Sequence, residues 1–248
     1  MATPSLRVLV TGGSRGIGHA AAALFAKRGA RVAVHGRTPA TAERGAAAIP
    51  GACAVAGDLA ESRACRRVVG EAVAALGGLD VLVASAGLYR GAPVAETDEA
   101  LWDGLCDLDL KAPFLCGQAA LPALRERGGA IVHVASDAAL FGEAGSAAYC
   151  AVKGALVNLT RAMAVELAPA VRVNAVCPGP VDTDMNREAA EATGDAAVAI
   201  AAWGGARPLK RIATPGEVAH AILHLATQPF TTGSVLLVDG GMTAGKLG

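Results

Sequence analysis

The strongest constraint on the fold is an alternation. Seven short Val-rich runs recur along the chain: LRVLVTG (6–12), RVAVHG (31–36), ACAVAG (52–57), LDVLVASAG (79–87), AIVHVASD (130–137), VRVNAVCPG (171–179) and SVLLVDGG (234–241). Each is closed by Gly, Pro or Asp, and β-branched runs bounded by turn formers predict strands. Between them lie Ala-rich segments, including 16–29, 61–76, 98–121, 147–168 and 215–227, with apolar residues at helical spacing. The last opens with TPGE (214–217), the order of a cap, a first-turn proline and a capping-box partner. Strands apolar on both faces, alternating with helices, require a parallel sheet covered on both sides. The expected fold is α/β, a doubly wound seven-stranded parallel sheet with ligands at the carboxyl ends of its strands.

A length of 248 residues suits one large domain or two small ones, and no linker or shift in composition divides it. A single domain over 1–248 is expected. Lys plus Arg equal Asp plus Glu at 22 each, without a basic stripe, so no nucleic-acid partner is expected. No apolar run reaches the roughly 18 residues that cross a bilayer, and MATPSLRVLV enters an apolar stretch too short for a signal-peptide core. A soluble, cytoplasmic protein is expected, with no membrane partner. The six cysteines (Cys53, Cys65, Cys106, Cys116, Cys150 and Cys177) are scattered without a C-x-x-C pair or a His cluster. They read as small apolar residues, with no metal site. The segment 180–213 breaks the strand–helix rhythm, and long insertions at strand ends are often lids or substrate walls. Met185 and Trp203 within it point to a partly apolar pocket.

The first strand runs through TGGSRGIG (11–18) into a helix, with Gly12, Gly16 and Gly18 spaced G-x-x-x-G-x-G. Such glycines take positive φ, admit a pyrophosphate to the backbone and pack the helix on the strand. The helix start adds free amides and a positive dipole end. A glycine-rich turn alone can be only a tight connection, but after the first strand of an α/β chain it favours dinucleotide binding. The second strand ends HGRT, where a domain that binds NAD commonly carries an acidic residue for the ribose hydroxyl. Here Arg37 stands there, with Arg15 in the glycine loop. Two guanidiniums and no carboxylate favour a 2′-phosphate, hence NADP(H), with NAD(H) as the other reading.

Tyr149 and Lys153 sit at i and i+4, one turn apart on a single helix face. The spacing also occurs by chance on ordinary surface helices. Its chemistry is nevertheless particular: free tyrosine titrates near 10, and a neighbouring ammonium favours the phenolate. Thirteen residues earlier, Ser136 closes a strand whose end faces the ligand side, so its hydroxyl could hold a substrate oxygen near Tyr149.

TGGSRGIG, GDL (57–59), ASAG (84–87), Ser136, YCAVK (149–153), CPGPVDT (177–183) and VDGG (238–241), in this order and over nearly the whole length, resemble a short-chain dehydrogenase/reductase of the single-domain Rossmann type. The resemblance implies hydride transfer between a nicotinamide and a carbonyl or alcohol carbon. Tyr149 would be the acid/base, Lys153 its pKa modifier and a ribose ligand, and Ser136 the holder of the substrate oxygen. Gly12, Ser14, Arg15, Gly16, Ile17, Gly18 and Arg37 would meet the cofactor phosphates. Asp58 and Leu59 would lie at the adenine, Ala86 and Gly87 at the adenosine ribose. Pro178, Gly179, Val181 and Thr183 would wrap the nicotinamide. A homotetramer through the fourth and fifth helices and the last strand is implied as well.

Two positions depart from the pattern. Ser85 replaces an Asn after the fourth strand, and CDLDLKAPF (106–114) carries Asp109 where similar enzymes have the Asn of a catalytic tetrad. Asp keeps the main-chain carbonyl through which that Asn works, but it adds charge near Lys153. Shifted or reduced activity is expected, not loss. Against the reductase stands a catalytically weak sensor or scaffold that binds dinucleotide. A 3-oxoacyl-thioester reductase is a further substrate reading, with Arg125 and Arg127 toward an acidic carrier, although LAPAVRVN lacks the Arg usual before the sixth strand.

Overall fold

Alternate residues of each central strand enter different cores. In β1 (Arg7–Thr11), Leu9 points into one cluster, Val8 and Val10 into the other; in β4 (Val81–Ala84), Leu82 opposes Val81 and Val83 in the same way. This is why the runs are apolar throughout: a sheet covered on both faces has no polar side. The computed structural model describes residues 5–245. Its remaining strands are β2 (Arg31–Gly36), β3 (Cys53–Ala56), β5 (Ala130–Val134), β6 (Arg172–Pro178) and β7 (Val235–Val238). All seven pair in parallel, in the order β3-β2-β1-β4-β5-β6-β7. The order reverses between β1 and β4, and the crevice outside that reversal is where such sheets bind ligands.

On one face, α1 (Gly16–Lys27) packs against α9 (Pro215–Thr227), with α2 (Pro39–Ala47) toward the edge. On the other lie α3 (Ser62–Leu76), α4 (Glu99–Cys106), α5 (Ala112–Arg125) and α6 (Ala147–Leu167). The start of α9 carries the expected capping box. Thr214 accepts from the Glu217 N–H (3.4 Å), and Glu217 accepts from the Thr214 N–H (2.8 Å). Helix α2 is the one element of this layer absent from the segments read from sequence; it is short and begins at a Thr38 cap before Pro39.

The segment expected as one helix over 98–121 is interrupted. A π-helical turn, Asp107–Lys111, joins α4 to α5, which runs on to Arg125. π turns accommodate one residue more than the α spacing and recur at functional sites. Here the turn carries Asp109 into the interior, 1% exposed. The segment 180–213 folds as α7 (Asp184–Glu191) and α8 (Ala196–Gly205). At the amino edge of the sheet, away from these features, Arg7 binds both oxygens of Asp80 at 2.9 Å. Among the described residues no helix is long and apolar enough to cross a membrane.

Candidate active site

The glycine loop is shaped by close approach. Gly12 has φ +64°, and a Cβ there would lie 2.8 Å from Ala86 Cα, while one on Gly18 would collide with the Gly12 carbonyl. Gly16 (φ +58°) faces the Thr183 methyl. Arg15, at the N-cap of α1, makes no side-chain cap and the first turn has no acidic residue, so the amides beside Ser14 and Ile17 stay open to an anion. His35, which the sequence did not single out, supports the loop from below. Its Nδ1 accepts from the Gly12 N–H at 3.0 Å and its Nε2 meets the Gly57 carbonyl at 2.9 Å, which defines a neutral ring. Burial pushes its pKa down, consistent with that form.

The two expected phosphate ligands part company. Arg37 is exposed and forms no ion pair among the described residues. Arg15 reaches Glu188 of α7 at 2.8 Å, with Asp184 at 4.0 Å. Asp58 is exposed and accepts from the Ala60 N–H (3.0 Å), whereas the Leu59 side chain is in the core, leaving only its main chain for a ligand. At the end of β4 the Thr11 hydroxyl accepts from the N–H groups of both Ser85 (3.1 Å) and Ala86 (3.2 Å). The strand end is thus held from β1, and the smaller Ser85 leaves it supported.

The remaining candidates converge where β5 meets α6. Ser136 accepts from the Ala138 N–H at 3.2 Å, and its hydroxyl is close enough to Tyr149 to favour the phenolate. Lys153, 4% exposed, stands 5.6 Å from the centre of the Tyr149 ring. Its Nζ lies 2.8 Å from Asp109 Oδ1 and donates to the Val134 carbonyl at 3.2 Å. Asp109 Oδ2 accepts from the Leu88 N–H at 3.1 Å, and a Cβ on Gly87 would come 2.5 Å from Oδ1, so glycine at 87 admits the carboxylate.

The electrostatics differ from the simple Tyr–Lys expectation. Burial pushes the Tyr149 phenol up, Lys153 pulls it down and Asp109 pushes it up again; the net direction is upward. Burial alone would lower the Lys153 pKa, but Asp109 and Tyr149 outweigh it and hold the ammonium above its ordinary value. The lysine lowers the phenol pKa in the expected direction, and the Asp109 charge opposes that pull.

The nicotinamide-side residues sit at the end of β6. Gly179 packs against Asp137 and Arg207. Val181 is buried and bridges to Ala213; Thr183 caps α7 through the Asn186 N–H. Sequence reasoning missed three neighbours besides His35. Tyr89 meets Tyr149 edge-on at 5.0 Å between ring centres, and its hydroxyl is 3.0 Å from Ser146 Oγ. Asp137 and Arg207 pair at 3.3 Å. The signal for Asp137 was its place directly after Ser136; nothing local marked Arg207, 70 residues away. Arg127 pairs with Asp80 (3.3 Å) at the amino edge of the sheet, opposite the candidate site.

Comparison with known proteins bears on this geometry. A family model described as enoyl-(acyl carrier protein) reductase matches residues 12–243. The chain is 40% identical to cis-4-hydroxycyclohexanecarboxylate dehydrogenase of Sinomonas cyclohexanicum, over 95% of this chain and 96% of that one. The chain belongs to the short-chain dehydrogenase/reductase family. Meso-2,3-butanediol dehydrogenase of Serratia marcescens is 37% identical over 96% and 94% of the two chains. The ligand-free aldohexose dehydrogenase of Thermoplasma acidophilum superposes with a TM-score of 0.90 at 29% identity, covering 97% and 95%. This short-chain dehydrogenase/reductase is an oxidoreductase of alcohol and carbonyl groups, and the family implies a nicotinamide dinucleotide cofactor. The uncapped amides of α1 and the glycine surfaces beside Ala86 and Thr183 fit such a group.

Proposed function

We propose that the chain is an NADP(H)-dependent oxidoreductase of small carbonyl or alcohol substrates, with Tyr149 as acid/base. The convergence of Ser136, Tyr149, Lys153 and Asp109 beside the glycine loop carries this reading. The bound dinucleotide supplies or takes the hydride. The chain's own work is at the oxygen: Ser136 Oγ holds it, and Tyr149 Oη gives it a proton in reduction and removes one in oxidation. Lys153 stabilises the phenolate and, through Nζ, would also bind the cofactor ribose. Arg37, exposed just after β2 and without an ion pair among the described residues, favours the 2′-phosphate of NADP(H). Dehydrogenases of a hydroxycyclohexanecarboxylate and of a butanediol among the relatives favour small hydroxy compounds over a carrier-bound thioester.

The chain works as one dinucleotide-binding and catalytic domain, with α7 and α8 as the substrate wall. A cytoplasmic homotetramer is part of the same reading, supported by exposed Trp102 and Phe114 on α4 and α5 and Leu237 on β7. The test is a panel of ketones, sugars, alcohols and acyl thioesters with NADPH, NADH and their oxidised forms. Turnover of a small ketone or alcohol, faster with the phosphorylated cofactor and lost by about a thousandfold or more in Tyr149→Phe, is expected. Turnover that survives Tyr149→Phe, or none with any cofactor, would overturn it.

A further inference from the structure

A second buried pair lies beside the reacting hydroxyls and has no part in the proton transfer. Asp137 follows Ser136 directly. Its Oδ1 accepts from the Ser136 hydroxyl at 3.3 Å, and its Oδ2 accepts from Arg207 Nη2 at 3.3 Å. Arg207 comes from the far end of the inserted segment, just beyond α8. Its Nη1 donates to the Trp203 carbonyl at 2.6 Å, and its main-chain N–H donates to Gly204 at 3.1 Å. Asp137 is 5% exposed and Arg207 7%, and the Arg207 Nε is buried without a partner.

The pair also rests on the loop after β6. A Cβ on Gly179 would lie 3.1 Å from Asp137 Oδ2 and 3.2 Å from Arg207 Nε. Three segments therefore meet at one contact: the strand end that bears Ser136, the CPGP loop and the terminus of α8. Burying an ion pair adds little stability by itself, because desolvation offsets the attraction. Its effect here is to fix position. The Trp203 carbonyl belongs to the negative end of α8, which a guanidinium complements. The other face of the same guanidinium orients the carboxylate whose second oxygen meets Ser136.

We propose that Asp137 and Arg207 are positioning residues that latch the α7–α8 segment to Ser136, so that the seating of the substrate wall and the direction of the Ser136 hydroxyl are set together. The role in catalysis rests on reading 180–213 as the substrate wall and Ser136 as the holder of the substrate oxygen. The latch itself needs no substrate to be observed, and the test has one arm for each.

The first arm is amide hydrogen exchange on the full chain. Arg207→Ala is expected to speed exchange in α7–α8 by about tenfold or more, while β1, β4 and β5 keep their protection. Arg207→Lys, which keeps charge but cannot span both Trp203 and Asp137, falls between. Should Arg207→Ala fail to fold, the paired change Asp137→Asn with Arg207→Met removes both charges, and the same loosening is expected. Unchanged exchange in α7–α8 in whichever variant folds would overturn the latch. The second arm uses any substrate the chain turns over. Asp137→Asn is expected to lower kcat several-fold with little change in KM, and to lower it no further in a Ser136→Ala background. Equal losses in both backgrounds would show that Asp137 does not act through Ser136. A chain without turnover would refute the functional reading while the exchange arm still judged the latch.

Discussion

Two carboxylates flank the candidate reacting hydroxyls, and burial treats them differently. Asp109 reaches in from the π turn before α5 and Asp137 from the end of β5, each buried and each facing one cation. At the first site the contact is 2.8 Å, an amide donates to the second carboxylate oxygen, and Lys153 is held above its ordinary pKa. At the second the contact is 3.3 Å, and burial outweighs Arg207, Ser136 and Ala138, pushing the Asp137 carboxyl up to about 6. At the first site the carboxylate raises its cation's pKa against burial; at the second, burial outweighs the cation and the hydrogen bonds. The cations differ as well: Lys153 borders Tyr149 and can influence the chemistry, whereas Arg207 is spread between Asp137 and α8.

The largest effect expected from this contrast is on stability at Asp137. Its pKa is above the unfolded value of 3.8 in the folded chain, so the folded state binds the proton more tightly. Its contribution to stability is full at low pH and declines as pH rises from about 4 through about 6, by a total of about 3 kcal/mol. Asp137→Asn cannot titrate and lacks that decline. Urea unfolding of both proteins from pH 4.5 to 8 (a range chosen at roughly these limits) should show the variant gaining on the parent as pH rises. Parallel curves would mean that Asp137 ionises as freely folded as unfolded.

Asp109→Asn tests the other carboxylate through the chemistry. Asp109 pushes the Tyr149 phenol up, so removing its charge should lower that pKa. With the Tyr149 phenolate as the proposed base of alcohol oxidation, the rising limb of the kcat/KM profile should move toward acid. The asparagine keeps the acceptor for the Leu88 N–H and the main-chain carbonyl, so activity survives. Superimposable profiles would rule out an electrostatic part for Asp109.

These two residues also mark how far the sequence could be read. The strands were legible because a parallel sheet buried on both faces leaves one uninterrupted pattern, as Val8, Leu9 and Val10 show by dividing between two cores. Tyr149 and Lys153 were legible because helical spacing is local. Asp109 was visible as a residue out of pattern, but its direct contact with Lys153 depends on the π turn, and residue order does not reveal where a helix takes in an extra residue. Asp137 and Arg207 were invisible as a pair, since only the path of α7 and α8 brings them together. The Arg15 contact was invisible for the same reason: its partner, Glu188, lies 173 residues on.

That exposed pair supplies the smallest effect and the outer limit of the comparison. Arg15 and Glu188 approach as closely as Lys153 and Asp109, 2.8 Å, yet their side chains are 54% and 62% exposed. Water and salt screen them, and Glu188→Gln should change stability by no more than about 0.5 kcal/mol. It should, however, release Arg15 from a competing carboxylate at the mouth of the glycine loop. The KM for NADPH is then expected to fall about twofold with that for NADH unchanged, a small gain because Arg15 still pays its own ordering cost. Arg37→Ala provides the scale, with a rise of tenfold or more in the NADPH KM alone. If Arg37→Ala acts and Glu188→Gln does not, the phosphate is held from β2 alone, and Arg15 serves to anchor α7 to the glycine loop. The distance between two charges would then say less about their function than the water around them.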